Sequence, residues 1–491
     1  MTIGATLATA AAAYPQKTAF AMGSRSFSFS EADDLANRFA NALIGAGVEP
    51  GSNVAVIGQN SLEYAIAYFG IARAGAASLH LSTRMTVDEI LHCLDAGKAT
   101  FAVCDPSVGD IQITNRLSLD PGEFTTRCDE MSDSDPMKEA PLDTPSSASY
   151  TGGTTGFPKG GMHSARSRLT WATIALEFFD LGPDEVMALA APMGHAAGGF
   201  IWFQPGVCAA ATQVILPHWD VPAFMDAAER HGVTSTFLVP AQVRMLIDHP
   251  EFDPGRLASL RKIVYGGAPS PEGLIEEADA RLPDCEFIQN YGMTEIGPLV
   301  TLYKKDRDKY PAAIGRPTER TECEIFLESG APASIGEVGE LCFRGNTVMQ
   351  EYLGDPEQTA AFFRNGDGWG WTGDLAVRNE DDIISLVGRS KDMIISGGLN
   401  VYPEEIERIL AELPAVRDCA VFGLPDDTFG ELPAAVIVAA DGTTAQDIES
   451  ACEGLIARHK RPRRIRLVAE IPKSPAGKVL RTVLREKYAD E

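Results

Sequence analysis

The chain has 491 residues, 45% hydrophobic and 22% charged, which is typical of a globular protein with more than one domain. With 42 basic and 68 acidic residues its formal net charge is −26, which argues against nucleic acid or an anionic membrane as a general partner. The nine cysteines form no CxxC pair, which argues against structural zinc and indicates reduced thiols.

The N-terminal segment predicts a cytoplasmic protein, because its alanine-rich stretch follows no basic segment of the kind that opens a signal peptide. No apolar run in the sequence is long enough to span a bilayer. We therefore expect neither a leader nor a membrane span.

Helix and strand patterns alternate over the first hundred residues. Ser30 with Asp33 resembles a helix N-cap, and the apolar residues that follow repeat every four positions as far as Gly45. The segments NVAVIG and TFAVCD are typical of short buried strands, and SLEYAIAYFGIARAG between them is typical of a helix. This alternation predicts a layered α/β domain with mostly parallel sheets. Residues 105–147 are polar and acidic, which predicts an irregular connector.

The segment YTGGTTGFPKG, residues 150–160, is typical of a phosphate-binding loop. Glycine lets successive backbone N–H groups point toward one anion, and threonine hydroxyls and a lysine add further donors. The donors are Thr151, Thr154, Thr155 and Lys159. It is not the loop of P-loop NTPases, because Lys159 stands between proline and glycine. A glycine-rich surface turn is the structural alternative.

A small α+β domain is predicted after residue 390. YPEEIERILAEL places Pro403 in the first turn of a helix with two glutamates beside it, and strand-like segments surround a second helix that begins near Thr444. We place the boundary in GRSKD, so that residues 1–390 form the N-terminal domain and residues 391–491 a mobile C-terminal domain, with Lys391 as the hinge.

Further motifs have a functional and a structural interpretation. Thr294 and Glu295, at a predicted strand end, can bind phosphate and the hard cation that accompanies it, although Glu295 can also cap a helix. Asp374 follows two tryptophans, and Lys478 follows a glycine near the end of the chain. Alone, the first can end a turn and the second can be a solvated surface lysine.

The order and spacing of these motifs resemble the adenylate-forming superfamily, which contains acyl- and aryl-CoA synthetases, luciferases and peptide-synthetase adenylation domains. The resemblance runs from about residue 15 to the end of the chain. The matching segments are YTGGTTGFPKG, PMGHAAG, YGGAP, NYGMTE, GEVGELCFRG, WTGD, GRSKDMIISGGLNVYPEEIE and PKSPAGKVLR.

The resemblance implies a two-step reaction that uses ATP, Mg²⁺ and coenzyme A. A carboxylate first attacks the α-phosphate of ATP, and a thiol then attacks the resulting acyl-adenylate. The implied catalytic residues are Lys478, Glu295, His195 and Thr155, with Thr154 and Glu295 at the metal. The implied nucleotide and coenzyme A residues are Thr151, Gly153, Thr154, Thr155, Gly156, Lys159, Gly267, Ala268, Pro269, Asn290, Tyr291, Gly292, Thr294, Asp374, Arg389, Ser396, Gly397 and Gly398. Asp374 and Arg389 would bind the ribose hydroxyls, since a carboxylate accepts and a guanidinium donates.

The acyl pocket is implied by the same resemblance. Its residues are His195, Gly198, Gly199, Phe200, Phe237, Gly266 and Met293. A lone histidine among apolar residues is usually a core residue, but at this position the family's ring helps to gate the thiol. The glycines beside Phe200 are expected to leave volume for the acid. No obvious cation is identified that would hold a second carboxylate, and the direction of Arg244 is undetermined.

The thiol acceptor is expected to be free coenzyme A. The basic segment RHKRPRRIR, residues 458–466, has two interpretations. It binds the 3′-phosphate of coenzyme A or an acidic carrier protein, or it is a solvated face with no binding role. The chain ends without a fused carrier domain, which favours coenzyme A, and an enzyme that loads a separate carrier protein is the alternative. A luciferase-like monooxygenase and a non-catalytic AMP sensor are alternatives of another class, and a homodimer stays open. The acid is expected to be aromatic, alicyclic or medium-chain, as in fatty acid metabolism.

Overall fold

The structure is a computed structural model, and it describes residues 2–109, 111, 113, 115–136, 138, 140–151, 157–271, 273–396, 399–426, 429–458, 460–473 and 479–488. The chain divides into two compact units, residues 1–323 with 343–370 and residues 324–342 with 371–491. No helix in the described ranges is both long enough and apolar enough to cross a membrane.

Strands and helices follow one another along the chain. The strands are β1 (Thr18–Met22), β2 (Arg25–Ser28), β3 (Asn53–Ile57), β4 (Ala77–Leu81), β5 (Phe101–Cys104), β6 (Asn115–Ser118), β7 (Pro145–Thr151), β8 (Lys159–Ser164), β9 (Val186–Leu189), β10 (Thr212–Ile215), β11 (Ser235–Leu238), β12 (Lys262–Gly266), β13 (Glu286–Met293), β14 (Gly297–Leu302), β15 (Ala313–Pro317), β16 (Glu322–Phe326), β17 (Gly339–Arg344), β18 (Glu351–Tyr352), β19 (Gly370–Arg378), β20 (Ile384–Arg389), β21 (Ile394–Ser396), β22 (Leu399–Val401), β23 (Val416–Asp426), β24 (Gly430–Ala439) and β25 (Arg464–Leu467).

The helices are α1 (Ile3–Ala13), α2 (Phe29–Gly45), α3 (Leu62–Arg73), α4 (Val87–Ala96), α5 (Pro121–Asp129), α6 (Ala165–Phe178), α7 (Gln204–Cys208), α8 (Val221–His231), α9 (Pro240–Asp248), α10 (Leu274–Arg281), α11 (Lys304–Arg307), α12 (Pro356–Phe362), α13 (Pro403–Ala411), α14 (Ala445–Ala451) and α15 (Arg481–Tyr488). A π-helix (Ala196–Phe203) leads directly into α7, and a 3₁₀ helix (Pro254–Leu257) follows α9.

Two mostly parallel sheets form the first unit. In one, the order is β18-β8-β7-β4-β3-β5-β6, with parallel pairing from β7 to β6 and antiparallel pairing at β7–β8 and β8–β18. In the other, strands β13, β12, β11, β9, β10 and β1 are parallel neighbours, and β14 and β15 extend it antiparallel beyond β13. Parallel strands require crossover connections, which the intervening helices supply.

One hydrophobic core joins strands of both sheets to the helices of the first unit. Phe20 of β1, Val54 of β3, Phe69 of α3, Trp171 of α6 and Phe203 of the π-helix all belong to it. Helix α3 is buried almost all round, which explains why its sequence is apolar on every face. This packing confirms the layered α/β prediction.

The second unit is a smaller α+β structure. Its antiparallel β23–β24 ladder carries β21 and β22 on one side, and β25 runs parallel to β24. Helix α13 begins with Pro403 and has Glu404 and Glu405 in its first turn, and Thr444 caps α14, so both predicted helix starts are confirmed. The second unit begins before the predicted domain boundary at residue 390, because it includes residues 324–342 and 371–390. The role of Lys391 as a hinge stays a prediction.

Two local predictions are wrong. Helix α2 begins at Phe29 and is capped by Ser28, whose side chain and Glu31 form a capping box, so Ser30 is not the N-cap. The connector is also less irregular than its composition indicates, because β6 and α5 lie within it. Asp120 caps α5, whose face bearing Phe124 is buried against the core.

Candidate functional site

The two ends of the glycine-rich loop lie side by side. Thr151 ends β7 and Lys159 begins β8, and the two residues are paired in the antiparallel register. Gly153, Thr154, Thr155 and Gly156, which the sequence places at the phosphates, lie outside the described residues. The strands therefore present one threonine and one lysine at the base of a seven-residue connection.

Glu295 is held in place by a tyrosine that the sequence analysis missed. The side chain of Glu295 lies just after β13, and the residue is only 6% exposed. Its Oε1 accepts a hydrogen bond of 2.7 Å from the Tyr352 hydroxyl, and its carbonyl oxygen accepts from the Met349 amide at 2.8 Å. The Tyr352 ring also lies 5.9 Å below the Lys159 ammonium. One tyrosine thus contacts both charged side chains of the predicted phosphate site.

A buried histidine fixes the neighbouring Thr294. His163 Nε2 donates to the Thr294 carbonyl oxygen at 2.8 Å, and His163 Nδ1 lies 2.8 Å from the Ser167 hydroxyl. Burial lowers the pKa of His163 well below its usual value, with the Arg168 charge as a smaller cause, so the ring is neutral. Because a carbonyl only accepts, the proton sits on Nε2, which leaves Nδ1 as an acceptor facing the Ser167 hydroxyl. That hydroxyl also lies within donating distance, 3.1 Å, of the Thr347 carbonyl oxygen. No motif in the sequence indicates this pairing.

The Glu295 carboxylate fits a magnesium ion. Magnesium is usually bound by one or two carboxylates together with phosphate oxygens rather than by a cage of protein ligands. The described residues contain no group of three or more His, Cys, Asp or Glu that could hold a metal by themselves. A single buried carboxylate near the strand ends of the predicted phosphate-binding loop is compatible with this mode of magnesium binding.

The predicted adenine residues lie at the carboxyl ends of two parallel strands. Gly267, Ala268 and Pro269 directly follow β12 and are exposed, and Tyr291 and Gly292 lie at the end of β13 beside it. Such strand ends are the usual ligand-binding edge of an α/β sheet. Asn290, however, is buried, and its Nδ2 donates to the Val300 carbonyl and to the Thr301 hydroxyl. Both of its amide donors are used within the sheet.

His195 stands at the start of the π-helix, where its side chain is accessible. Surrounding protein atoms still lower its pKa by desolvation, and the charge of Arg84 lowers it further. At neutral pH the imidazole is therefore uncharged. Such a ring can accept a hydrogen bond without attracting a permanent counter-charge.

The glycines of the predicted acyl pocket serve close backbone packing, which corrects the expectation that they leave free volume. A Cβ on Gly198 would overlap the Pro192 carbonyl oxygen, and one on Gly199 would overlap the Met193 carbonyl oxygen. A Cβ on Gly266 would likewise overlap the Asn290 carbonyl oxygen across the β12–β13 pairing. A larger side chain at these positions displaces the backbone instead of shortening a pocket.

The two phenylalanines of the predicted pocket are core residues. Phe200 and Phe237 are both fully buried, whereas Met293 is half-buried at the end of β13. Arg244 is turned away into ion pairs with Glu277 at 2.7 Å and Asp248 at 3.4 Å. Among these predicted residues, Met293 and His195 are the ones that present accessible side chains.

The predicted ribose residues form an ion pair in the second unit. Asp374 and Arg389 are paired in the β19–β20 register, and Arg389 Nε lies 2.7 Å from Asp374 Oδ1. Arg389 also donates to the Thr372 carbonyl oxygen at 3.2 Å. Asp374 is buried and Arg389 is about one-third exposed, so the pair has one protected and one accessible member.

The remaining predicted residues of this unit are only partly described. Lys391 is exposed in a turn that the Asp392 and Met393 amides close by donating to the Arg389 carbonyl oxygen. Ser396 is buried at the end of β21. Gly397, Gly398 and Lys478 lie outside the described residues.

Arg481 gathers three carboxylates around one guanidinium, a cluster that the sequence did not indicate. Its NH2 lies 2.8 Å from Glu407 and 3.4 Å from Glu404, and its NH1 lies 3.4 Å from Asp392, the residue after the predicted hinge. Desolvation raises the pKa of Glu404 to about 7, opposed by Arg481 and reinforced by Glu407. Three acids exceed one cation, so the cluster favours a protonated carboxyl.

The basic segment is partly neutralised within its own unit. Lys460 lies 2.7 Å from Glu405, Arg461 lies 3.5 Å from Glu453, and the Arg463 guanidinium stacks 4.2 Å from the Phe429 ring. These contacts support the interpretation of a structured face for part of the segment. They leave its role in binding an acceptor a prediction.

Comparison with known proteins identifies a family over most of the chain. The family model described as "AMP-binding enzyme" matches residues 7–353, and the one described as "AMP-binding enzyme C-terminal domain" matches residues 405–478. The chain is 34% identical over 484 residues to a feruloyl-CoA synthase of Amycolatopsis, covering 96% of each chain. It is 33% identical over 500 residues to an indoleacetate–CoA ligase of Aromatoleum aromaticum, covering 97% of this chain and 96% of the other.

A carrier-protein enzyme is also among the relatives. A fatty acid–[acyl-carrier-protein] ligase of Streptomyces coeruleorubidus is 32% identical over 483 residues, covering 94% of this chain and 92% of the other. Among solved structures, ATP-bound MatB from Rhodopseudomonas palustris has a TM-score of 0.91 at 28% identity, covering 100% of this chain and 99% of that one. The o-succinylbenzoate coenzyme A synthetase of Bacillus subtilis with ATP and magnesium has a TM-score of 0.86 at 26% identity, covering 97% and 98%.

Proposed function

Since the chain belongs to the AMP-binding enzyme family and is an AMP-forming acid–CoA ligase, we propose that it activates an aromatic, alicyclic or medium-chain carboxylic acid through an acyl-adenylate. The observation that carries the proposal is the buried Glu295 carboxylate held by Tyr352 at the end of β13. Two relatives are named for ferulate and indoleacetate, both aromatic acids, which supports this class.

The first step forms a bond between a carboxylate oxygen of the acid and the α-phosphorus of ATP, and pyrophosphate leaves. Negative charge shifts onto the phosphate oxygens, so preorganised cations and donors lower the barrier. Lys159 and the hydroxyls of residues 151–155 would bind the outer phosphates, Thr294 would reach the α-phosphate, and Glu295 would hold Mg²⁺. The Lys478 ammonium would bridge the attacking carboxylate and the phosphate.

The second step forms a C–S bond and breaks the C–O bond to AMP, while the thiol proton passes to solvent. His195 is neutral because its pKa is lowered, so it can accept a hydrogen bond where the thiol approaches. Ser396, Gly397 and Gly398 would lie along the pantetheine arm, where glycine lets a thin chain pass close to the backbone. In the second unit, Asp374 and Arg389 would bind the ribose hydroxyls.

Coenzyme A is the acceptor that we propose, and a separate carrier protein is the second candidate. The carrier candidate rests on the relative named as an acyl-carrier-protein ligase and on the basic segment at residues 458–466, which suits an acidic partner. The proposal of coenzyme A as the acceptor rests on the relatives named as CoA ligases and synthases. The cytoplasmic location and the assembly state stay predictions.

A pyrophosphate-release screen over a panel of carboxylic acids tests the proposal. Each acid is supplied with ATP and Mg²⁺, with coenzyme A, with a phosphopantetheinylated carrier protein, or with neither. We expect aromatic or medium-chain acids to release pyrophosphate, with multiple turnovers only when coenzyme A is present. No pyrophosphate from any acid would contradict the adenylation step, and turnover with the carrier protein alone would contradict the acceptor.

A further inference from the structure

A fully buried arginine in the first unit has no carboxylate partner among the residues that the structure describes. Arg168 of α6 is 0% exposed, and its guanidinium lies 3.7 Å from the Phe200 ring centroid and 4.4 Å from that of Trp171. Its Nε donates to the Ser147 hydroxyl at 2.8 Å and its NH2 to the Ser147 carbonyl at 3.4 Å. Its NH1 has no hydrogen-bond partner in the described part of the chain.

The guanidinium keeps its charge in this position. Burial lowers the pKa of Arg168 to about 9, with Tyr68 opposing the shift, so the side chain is a cation at neutral pH. Aromatic rings offer a buried cation partial compensation, but they do not neutralise it. A buried charge is ordinarily paired with an opposite charge, because isolated burial is strongly unfavourable.

Two other buried side chains, each one residue removed from the direct neighbours of Arg168, also have an unused polar group. Ser149 lies two residues after Ser147 on β7, so both face the same side of the sheet. The Ser149 hydroxyl has no partner within the described residues. Gln204 accepts from the Tyr68 hydroxyl at 2.8 Å through Oε1, and its Nε2 is likewise without a described partner. All three groups can donate, and none of them carries the negative charge that would neutralise Arg168.

The buried histidine near Arg168, His80, is uncharged, so it neither neutralises Arg168 nor adds a second positive charge. His80 contacts the Tyr64 hydroxyl through Nδ1 at 2.7 Å and the Ser78 hydroxyl through Nε2 at 2.8 Å. Burial lowers the pKa of His80 to about 3, with the Arg168 charge as a smaller cause, so the ring is neutral. Arg168 is therefore the charge that sets what the cluster can bind.

The cluster adjoins the segment that carries His195. Phe200, which covers the Arg168 guanidinium, lies in the π-helix that begins directly after His195, five residues further along the chain. The Tyr64 hydroxyl would lie 3.7 Å from a Cβ built on Gly194, the residue before His195. The cation and the histidine thus lie on neighbouring parts of one unit.

We infer that Arg168, with Ser149 and Gln204, binds a second carboxylate of the acid, so that the enzyme's substrates are dicarboxylic acids. The inference rests on the proposed function and specifies its substrate class. It names a cation for a second carboxylate, which the sequence analysis did not identify. A carboxylate supplies the negative charge that the cluster lacks, and its oxygens can accept hydrogen bonds from all three groups. Its entry requires the Phe200 ring to move off the guanidinium, and the π-helix that carries this ring is an element type common at functional sites.

Matched pairs of mono- and dicarboxylic acids test this inference. We would measure kcat/KM for pyrophosphate release with aliphatic and aromatic pairs of equal length, in the wild type and in Arg168→Met, Arg168→Lys and Ser149→Ala. We expect the wild type to prefer the diacid at least tenfold for one length of chain. Arg168→Met should abolish the preference, while Arg168→Lys and Ser149→Ala should each retain part of it.

Arg307→Met is the matched control, because Arg307 is also buried but is paired with Asp279. It should leave the diacid preference unchanged. A wild-type enzyme that turns over monoacids and diacids equally, or an Arg168→Met variant with an unchanged preference, would overturn the inference while leaving the proposed function intact. If no acid of either kind releases pyrophosphate, the proposed function itself fails.

A ligand measurement on the wild type covers the case in which Arg168→Met does not fold. Thermal unfolding is followed with diacids, with the matching monoacids, and with sodium chloride against sodium gluconate at equal ionic strength. The inference predicts a higher Tm with the preferred diacid than with its monoacid. Stabilisation by chloride without any diacid effect would assign the cluster to an inorganic anion, and no stabilisation by any of them would leave a purely structural arginine. Either result contradicts the inference.

Discussion

Replacing Tyr352 by phenylalanine removes one hydroxyl and tests how the structure positions Glu295. The lost hydrogen bond is 2.7 Å long and ends on a carboxylate that is 6% exposed, so water has little access to replace it. Hydrogen bonds to charged groups contribute about 1.5–3 kcal/mol. If Glu295 must hold its position in the adenylation transition state, the rate should fall about 10–150-fold. The ring remains, so its contact with Lys159 is preserved.

The assay is initial pyrophosphate release as a function of Mg²⁺ concentration at saturating ATP and acid. We expect a lower kcat and a higher half-saturating Mg²⁺ concentration, because the carboxylate is less well oriented. Thioester formation from supplied acyl-adenylate should stay close to wild type. Tyr303→Phe is the control, since that hydroxyl donates to the Phe178 carbonyl at 2.9 Å. A Tyr352→Phe enzyme with unchanged kcat and Mg²⁺ dependence would refute the positioning role.

Four further substitutions should separate the roles of individual residues. Gly198→Ala should lower Tm and activity with every acid alike, because its Cβ meets the Pro192 carbonyl, and a selective loss of long acids would contradict this. Burial raises the pKa of Glu404 to about 7 from 4.5, so the wild type loses stability as pH rises through this range; Glu404→Gln should raise Tm at pH 8 more than at pH 5. An equal effect at both values would contradict the assignment. Lys478→Ala should lower adenylation about a hundredfold or more while sparing thioester formation from acyl-adenylate, and equal losses in both would contradict its role. Lys391→Pro should keep adenylation within roughly tenfold and lower thioester formation far more, and equal changes in both half-reactions would place the hinge elsewhere.

Local sequence patterns predicted those elements whose signals lie within a few residues. Pro403 with two following glutamates predicted the start of α13, and Thr444 predicted the start of α14, because caps and first-turn preferences act over one helical turn. The alternation of strand and helix segments predicted parallel sheets, because a helix between two strands allows the crossover that parallel pairing requires. Ser30 failed as an N-cap because Ser28 offers the same chemistry two residues earlier and has Glu31 at the required spacing.

Contacts between distant parts of the chain could not be predicted in this way. Tyr352 is 57 positions from Glu295, and His163 is 131 positions from the Thr294 carbonyl, so neither pairing leaves a local pattern. The burial of Arg168 against Phe200 also depends on which face of α6 meets the π-helix. The glycines beside Phe200 were recognised as small, but their size serves backbone contact, which composition alone does not reveal.

The central claim, that the acid passes through an acyl-adenylate, can be tested with an acid labelled with ¹⁸O in its carboxylate. The carboxylate oxygen that attacks the α-phosphorus stays with that phosphorus when the thiol displaces AMP from the acyl carbon. After turnover with ATP, Mg²⁺ and coenzyme A, mass spectrometry should therefore find one ¹⁸O atom in AMP and none in pyrophosphate. Unlabelled AMP, or label in pyrophosphate or inorganic phosphate, would contradict the adenylate route and with it the role given to Glu295 and Lys478.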